Sequence, residues 1–385
     1  MKKILGIFGV LVAIIVVTSI GSPGFLSGYN LENVLRRVSM YSILGLGAAF
    51  VIMVGGIDLS IGSMVGLVGS VFPLLLLSQK PPLPVSLPVA LLCVLGLVVF
   101  LGLAHGLLVT KLRLQPFVVT LSGLLLYRGI ARWITEDRDT PVFGPEYQGL
   151  RELAIGKIEL PLVDPRTFSL PVPVVILLVV VFVSAVFLNL TIYGRYLLAT
   201  GRNEQAARYS GINTHRITIL AYVLCALLTG LGALLFLLDS NSIQPDRFGS
   251  FYELYAIAAA VLGGCSLRGG EGSVVGVVLG AALIPFLSNA IGLLGFPTRL
   301  EFAIIGVVIL VSVVVDELFK RLGAAHRLRR AARTRPDQAA PQPALAAEAR
   351  TGAEARAAEG AAGIRRLDEE PPAAPPDAIR PPRVP

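Results

Sequence analysis

The stretch Gly55-Gly56-Ile57-Asp58-Leu59-Ser60-Ile61-Gly62-Ser63 decides how this chain is built. It separates two apolar runs, 38–54 and 62–77, each close to the length that crosses a bilayer. Paired glycines stop a helix. A carboxylate flanked by such runs is costly in hydrocarbon and marks a functional site by default. Peptide groups freed at that depth need protein or a water-filled cavity around them. Asp58 therefore has two readings. It accepts hydrogen bonds from a polyhydroxylated solute, or Asp58 or Ser60 caps the helix that follows.

Eight further apolar stretches flank these two: 1–20, 85–109, 117–133, 172–190, 217–238, 254–265, 273–294 and 300–315. Residues 254–265 are too few for a span of about 20 residues, so the helix either starts earlier or is a half-helix. Residues 1–20 read as a retained first span, because no small-residue cleavage site follows them. The chain is 54% apolar and 15% charged, with a mean hydropathy of +0.75. That leaves too few charges to coat a soluble surface. It excludes a cytosolic enzyme, a disordered protein and, despite the net charge of +8, a nucleic-acid-binding domain. The predicted fold class is an all-α polytopic membrane protein of about ten transmembrane helices, with an internal repeat and glycine-broken helices. The transmembrane domain covers 1–322. An Ala/Pro/Arg-rich tail over 323–385 has too little apolar sequence to order itself and reads as disordered and cytoplasmic.

Charge sets the orientation. With the N-terminus inside and every stretch crossing, Lys111 and Arg113 fall inside, as do Arg195, Arg202, Arg208 and Arg216 against the single acid Glu204. The C-terminal group from Lys320 to Arg330 also falls inside. The loop over 136–166 falls outside with seven acids against four bases. This fits the positive-inside rule. Arg36 and Arg37 land outside against the rule, which predicts that 22–37 forms an interfacial helix.

A second glycine-rich break, Leu262-Gly263-Gly264-Cys265-Ser266-Leu267-Arg268-Gly269-Gly270-Glu271-Gly272-Ser273, repeats the first. Both read G-G, a polar break, then G-S-x-V-G-x-V. The span count gives the two copies the same orientation. Glycine-interrupted segments at matching positions point to a translocation pathway. The assigned pathway residues are Gly55, Gly56, Asp58, Ser60, Gly62, Ser63, Gly263, Gly264, Ser266, Gly269 and Gly270. Between the copies, Gly201-Arg202-Asn203-Glu204-Gln205-Ala206-Ala207-Arg208-Tyr209-Ser210-Gly211-Ile212 reads as a short helix over about 203–210. Asn203 caps it and Gly211 ends it. On its own it reads as a linker helix or as a docking surface for a soluble partner.

No catalytic constellation accompanies these features. The Gly156-Lys157 pair is followed by Ile158, so no phosphate-binding P-loop is present. His105, His215 and His326 form no H-E-x-x-H, and Cys93, Cys225 and Cys265 have no metal-ligand spacing. Gly264-Cys265-Ser266-Leu267-Arg268 lacks the second glycine of a nucleophile elbow.

Three segments resemble one family in order and spacing. Residues 55–63 look like the signature of permease subunits of ribose/galactose/xylose-type ABC importers, 199–213 resemble that family's Glu-Ala-Ala-Arg-x-Ser-Gly-Ile loop, and 252–280 resemble its Tyr-Glu-Leu to Leu-Gly-Gly-x-Ser-Leu segment. The resemblance covers about 1–320. It implies a cytosolic ABC ATPase docked on Gly201, Arg202, Asn203, Glu204, Ala206, Ala207, Arg208, Gly211 and Ile212. It also implies a periplasmic or extracellular sugar-binding protein, a second permease subunit and an inner-membrane location with both termini cytoplasmic. The only other partner is membrane lipid, with no nucleic acid. No cofactor or metal is expected on this chain, since ATP and Mg belong to the partner. The chain has Tyr255 where the family often has Asp, and Cys265 where it often has Thr. Related permeases for nucleosides, autoinducers or branched-chain amino acids remain alternatives. An ion-coupled carrier would need a buried relay, for which the spans offer little beyond Asp58 and His105.

Overall fold

The computed structural model describes residues 2–77, 84–159, 169–312 and 314. Readings on 323–385 and on the end of the tenth stretch lie outside the described residues. The ten apolar stretches are helical. They form α1 (Lys2–Gly21), α2 (Gly28–Met53), α3 (Ile61–Leu77), α4 (Leu87–Thr110) and α5 (Pro116–Thr135), then α7 (Val172–Leu190), α10 (Thr214–Ser240), α11 (Tyr252–Leu262), α12 (Val274–Leu293) and a last helix, α13, over 301–312. Three shorter helices lie between: α6 (Gln148–Ile155), α8 (Ile192–Arg202) and α9 (Glu204–Tyr209). A two-stranded ribbon pairs β1 (Lys157–Ile158) antiparallel to β2 (Leu170–Pro171). Among the described residues, six helices are long and apolar enough to cross a membrane: α2, α4, α5, α7, α10 and α12. With 11 residues, α11 is a half-helix.

Burial separates the centre of the bundle from its lipid-facing rim. In α2, 78% of the apolar window is buried, against 28% in α4, α5 and α7. The central helix packs on α7, α10, α11 and α12. Small residues permit this: Gly45 faces Ala259 and Val277, and Gly47 faces the backbone of Cys225. Without a hydrophobic force between helices in lipid, such close packing is what holds them together. The pair α4–α10 uses the same device. A Cβ at Gly102 would stand 2.9 Å from the Tyr222 carbonyl oxygen, and one at Gly106 would stand 2.7 Å from Ile219 Cα. Against α12, α1 closes the rim through Leu11 with Ala282 and Phe286, and through Ile7 with Leu283.

The interfacial helix expected over 22–37 is not formed. Ser27 caps α2, accepting from Asn30 N–H at 3.4 Å, and the helix runs unbroken from Gly28 to Met53. Arg36 and Arg37 are therefore part of a spanning helix. Arg36 is tolerated there because it pairs with Asp239 on α10 at 3.3 Å. Nearby, the buried Glu32 accepts from Ser169 N–H at 2.7 Å and pairs with Lys157, which fastens the ribbon to the start of α2.

Both glycine pairs end their helices in the same way. Gly55, at φ +85°, and Gly264, at φ +93°, sit in the left-handed region. Gly55 N–H donates to Ile52 O and Gly56 N–H to Val51 O, both at 2.9 Å; Gly264 N–H donates to Val261 O and Cys265 N–H to Ala260 O, both at 3.0 Å. This is the Schellman termination. The copies differ at the helix that follows. In the second, Ser273 caps α12, whereas the matching Ser63 lies inside α3, which starts at Ile61.

Close packing of α4 on α10 predicts a contrast along one helix. Gly106→Val should destabilise the detergent-solubilised protein by roughly 1–3 kcal/mol through overpacking. Gly96→Val, where a Cβ meets nothing within 4 Å, should not. Equal melting temperatures for the two variants would refute the α4–α10 contact as a source of stability.

Candidate functional site

The loop over 199–213 is built as its sequence requires. Thr191 caps α8, accepting from Gly194 N–H at 3.2 Å. Asn203 then breaks the helix and caps α9, its side chain accepting from Ala206 N–H at 2.9 Å. The left-handed Gly211 ends α9 with the same closure seen above: Gly211 N–H to Arg208 O at 3.0 Å and Ile212 N–H to Ala207 O at 3.1 Å. Arg208 pairs with Glu204 at 2.7 Å, and Thr214 Oγ1 donates to the same carboxylate oxygen at 3.1 Å. Only Ala207 of α9 is buried, and Tyr209 is 90% exposed. The helix stands on the surface, presenting Glu204, Gln205, Arg208 and Tyr209.

The base of this loop meets both glycine breaks. Gly270 N–H donates to the carbonyl of Met53, the last residue of α2, at 2.9 Å. A Cβ at Gly201 would overlap that same carbonyl oxygen and stand 2.6 Å from Gly270 N. Gly269 and Gly270, both left-handed, lie against the backbone of Gly201 and Arg202. Gly269 N–H closes the turn onto Ser266 O at 2.8 Å, and Gly55 faces Arg268. Three segments far apart in sequence thus share one junction. Tyr41 meets Tyr252 edge-on, Gly45 faces Ala259, and the turn that follows α11 meets Met53 at the end of α2, so the two repeat copies run in the same direction, as the span count expects.

The remaining residues assigned to the pathway lie elsewhere. Gly263 and Gly264 end α11 against α12 at Gly276 and Val277. Gly62 packs on the Gly249 carbonyl and the Glu253 carboxylate, and Ser63 donates to Ser60 O at 2.9 Å. Between Gly56 and Ile61 the backbone is extended and sunk in the bundle, with Asp58 only 2% exposed. There Asp58 Oδ1 accepts from Ser60 N–H at 2.8 Å and from Ser60 Oγ at 2.6 Å. From α5, Thr120 Oγ1 donates to Ile57 O at 3.1 Å.

Asp58 also anchors a cluster that the sequence leaves scattered. Cys225 Sγ on α10 is 3.6 Å from its Oδ2, and His105 Nδ1 on α4 is 4.0 Å from it. On its other side, His105 Nε2 is hydrogen-bonded to the Tyr127 hydroxyl of α5 at 2.8 Å. The Tyr222 ring stands edge-on to His105 at 6.1 Å, and its buried hydroxyl has no hydrogen-bond partner. No periodicity in the sequence reports contacts between residues on four different elements. The one available signal is that Asp58 and His105 are polar groups inside apolar runs.

Beside this cluster a cavity of about 370 Å³ opens toward the α8–α9 loop. Its walls include Gly55, Gly56, Arg113, Glu204, Arg208 and Tyr222. Asp58 is not among them. In this arrangement its carboxylate serves the backbone of the break, and the cavity's polar groups come from α9, α10, the end of α4 and Arg113.

A pair of variants tests that role. Asp58→Ala leaves Ser60 N–H buried without an acceptor and should cost roughly 1–3 kcal/mol. Asp58→Asn keeps a carbonyl oxygen for Ser60 and should cost clearly less in the same detergent melt. Equal losses would mean that the Ser60 bonds are not what Asp58 supplies.

Comparison with known proteins agrees with this arrangement. The family described as "Branched-chain amino acid transport system / permease component" matches residues 30–313. The ribose import permease protein RbsC of Escherichia coli (strain K12) is 37% identical over 308 residues, covering 80% of this chain and 91% of that protein. RbsC of Bacillus subtilis (strain 168) is 35% identical over 312 residues, covering 81% and 92%. The galactose/methyl galactoside import permease protein MglC of E. coli (strain K12) is 31% identical over 325 residues, covering 81% and 94%. No solved structure matches the chain. With its helical, glycine-broken bundle, the chain belongs to this family of membrane-spanning transport permeases.

Proposed function

We infer that the chain is the membrane-spanning permease subunit of an importer that moves a monosaccharide, of the ribose, xylose or galactose kind, across the inner membrane. The single observation that supports this most is the junction of the end of α8, immediately before the exposed helix α9, with the end of α2 and with the second glycine break. A soluble partner that grips α9 pulls, through Gly201 and Arg202, on the end of α2 and on the Gly269-Gly270 turn that follows α11. The partner we propose is a cytosolic ATPase that binds ATP and Mg, so that no cofactor resides on this chain. On this reading the docking end and both termini are cytoplasmic. A second permease copy completes the channel, and a soluble sugar-binding protein delivers cargo at the opposite end. Sugar as cargo is supported by the names of the relatives RbsC and MglC. The family's own description, which names branched-chain amino acids, supports such a solute as the second reading.

The docking role has a direct test. In the double variant Glu204→Arg with Arg208→Glu, the ion pair within α9 is rebuilt with its ends exchanged. Its cost to the isolated helix is a few tenths of a kcal/mol. The charge pattern offered to the partner is reversed. We expect retention of the ATPase on the tagged permease to fall about tenfold, equivalent to about 1.4 kcal/mol, and sugar uptake to fall with it while the amount of permease holds. Unchanged ATPase retention and uptake would remove α9 as the docking element.

A further inference from the structure

A second cavity, of about 510 Å³, lies at the other end of the bundle. Its walls come from the first turns of α2, from Asp239 at the end of α10, from the last turns of α12 and from Glu301. The inner cavity touches the opposite ends of the same two helices, at 54–56 and 215–222. The two cavities therefore open at the two faces of the membrane. The volume falls within the roughly 300–1,000 Å³ of small-molecule sites.

The chemistry of its walls is specific. Arg36 Nη1 pairs with Asp239 at 3.3 Å, and Asn30 and Asn289 exchange amide hydrogen bonds at 3.0 and 2.7 Å. Asn33, Arg37, Ser288 and Glu301 also line the cavity, and among the described residues they make no side-chain hydrogen bond or ion pair. They offer an amide, a hydroxyl, a cation and a carboxylate to one space. Donors and acceptors are thus both available. An anion would meet Asp239 and Glu301, and a cation would meet Arg36 and Arg37. A neutral solute bearing many hydroxyls can donate to Glu301 and accept from Arg37 at the same time, in charge-assisted hydrogen bonds. Tyr29, 75% exposed at the same cavity, adds an aromatic face for the apolar side of such a solute.

We propose that this outer cavity is a receiving site for a neutral polyhydroxylated solute, with Asn33, Arg37, Ser288 and Glu301 as its hydrogen-bonding groups. The proposal rests on the monosaccharide reading above and places the sugar at a defined point of this chain.

The test uses the full chain with its partners in right-side-out membrane vesicles, with Cys93→Ser to remove the exposed native thiol. Ser288→Cys is labelled with a membrane-impermeant maleimide in the presence of ribose, galactose or leucine, and sugar uptake is followed in parallel. Asn33→Cys serves as a second reporter where Ser288→Cys fails to assemble. At a sugar concentration about ten times the half-protecting value, labelling should slow about tenfold by occupancy alone. Protection by leucine and not by sugar would overturn the assigned solute class and the monosaccharide reading together. Intact sugar uptake without protection would overturn the site and leave that reading standing. Protection by the purified sugar-binding protein alone would make the cavity a docking socket. Failure of both reporters to label would mean that the cavity is closed to the outside. Either result would overturn the proposal.

Discussion

The chain must bury non-helical backbone between α2 and α3, and the rest of the structure follows from how it does so. A peptide group left unpaired in hydrocarbon costs several kcal/mol. Between α2 and α3 each hydrogen bond meets part of that demand from a different source. Gly55 and Gly56 turn their N–H groups back onto α2, Thr120 reaches from α5 to the Ile57 carbonyl, and Asp58 serves Ser60. The Ser60 carbonyl in turn accepts from Met64 N–H at 2.8 Å and begins α3. The break is a fixed piece of architecture, made of bonds from two helices and one carboxylate.

That construction ties the α8–α9 loop to the break. A hydrogen bond from Gly270 to Met53, and the close backbone approach at Gly201, join three segments that would otherwise move apart. A side chain at Gly201, Gly269 or Gly270 would prevent the approach to the backbone of Met53, Gly201 and Arg202. The surface of α9 contributes little to stability, since its Glu204–Arg208 pair is half exposed and such pairs are worth about 0.3–0.5 kcal/mol. Its exposed charges are better explained by what they present than by what they hold.

Much of this was legible in the sequence because it is local. Asn203 as a cap, Gly211 as a stop, the Gly-Gly terminations and the short α11 all depend on residues within one turn of each other. The apolar stretches predict their helices because length and composition suffice. Distant pairs were not legible. The contact of Asp58 with His105 and Cys225, and through His105 with Tyr127, joins elements up to 167 residues apart. Arg36 looked like a surface residue because its partner Asp239 lies 203 residues away. The repeat pattern aligned Ser63 with Ser273 correctly as sequence, yet Ser60 and Asp58 start α3 earlier, so the two serines do different work.

The two cavities touch opposite ends of α2 and α10, and the Asp58 cluster lies near the inner one, where Tyr222 is shared between cavity and cluster. Any passage between them must part groups that are packed here. In α2 and α10 that would break backbone ladders, whose carbonyls have no alternative partner in a dry bundle. After Gly56, whose N–H closes onto Val51 O, no helical ladder precedes the first turn of α3; the bonds at Ile57, Asp58 and Ser60 involve the side chains of Asp58, Ser60 and Thr120. Side chains can follow a moving backbone through rotamer changes, whereas a helix interior cannot. The residues that solve the problem of burying an extended strand are thus also those at which the bundle yields with the fewest lost hydrogen bonds, and they sit one short segment away from the junction with the end of α8.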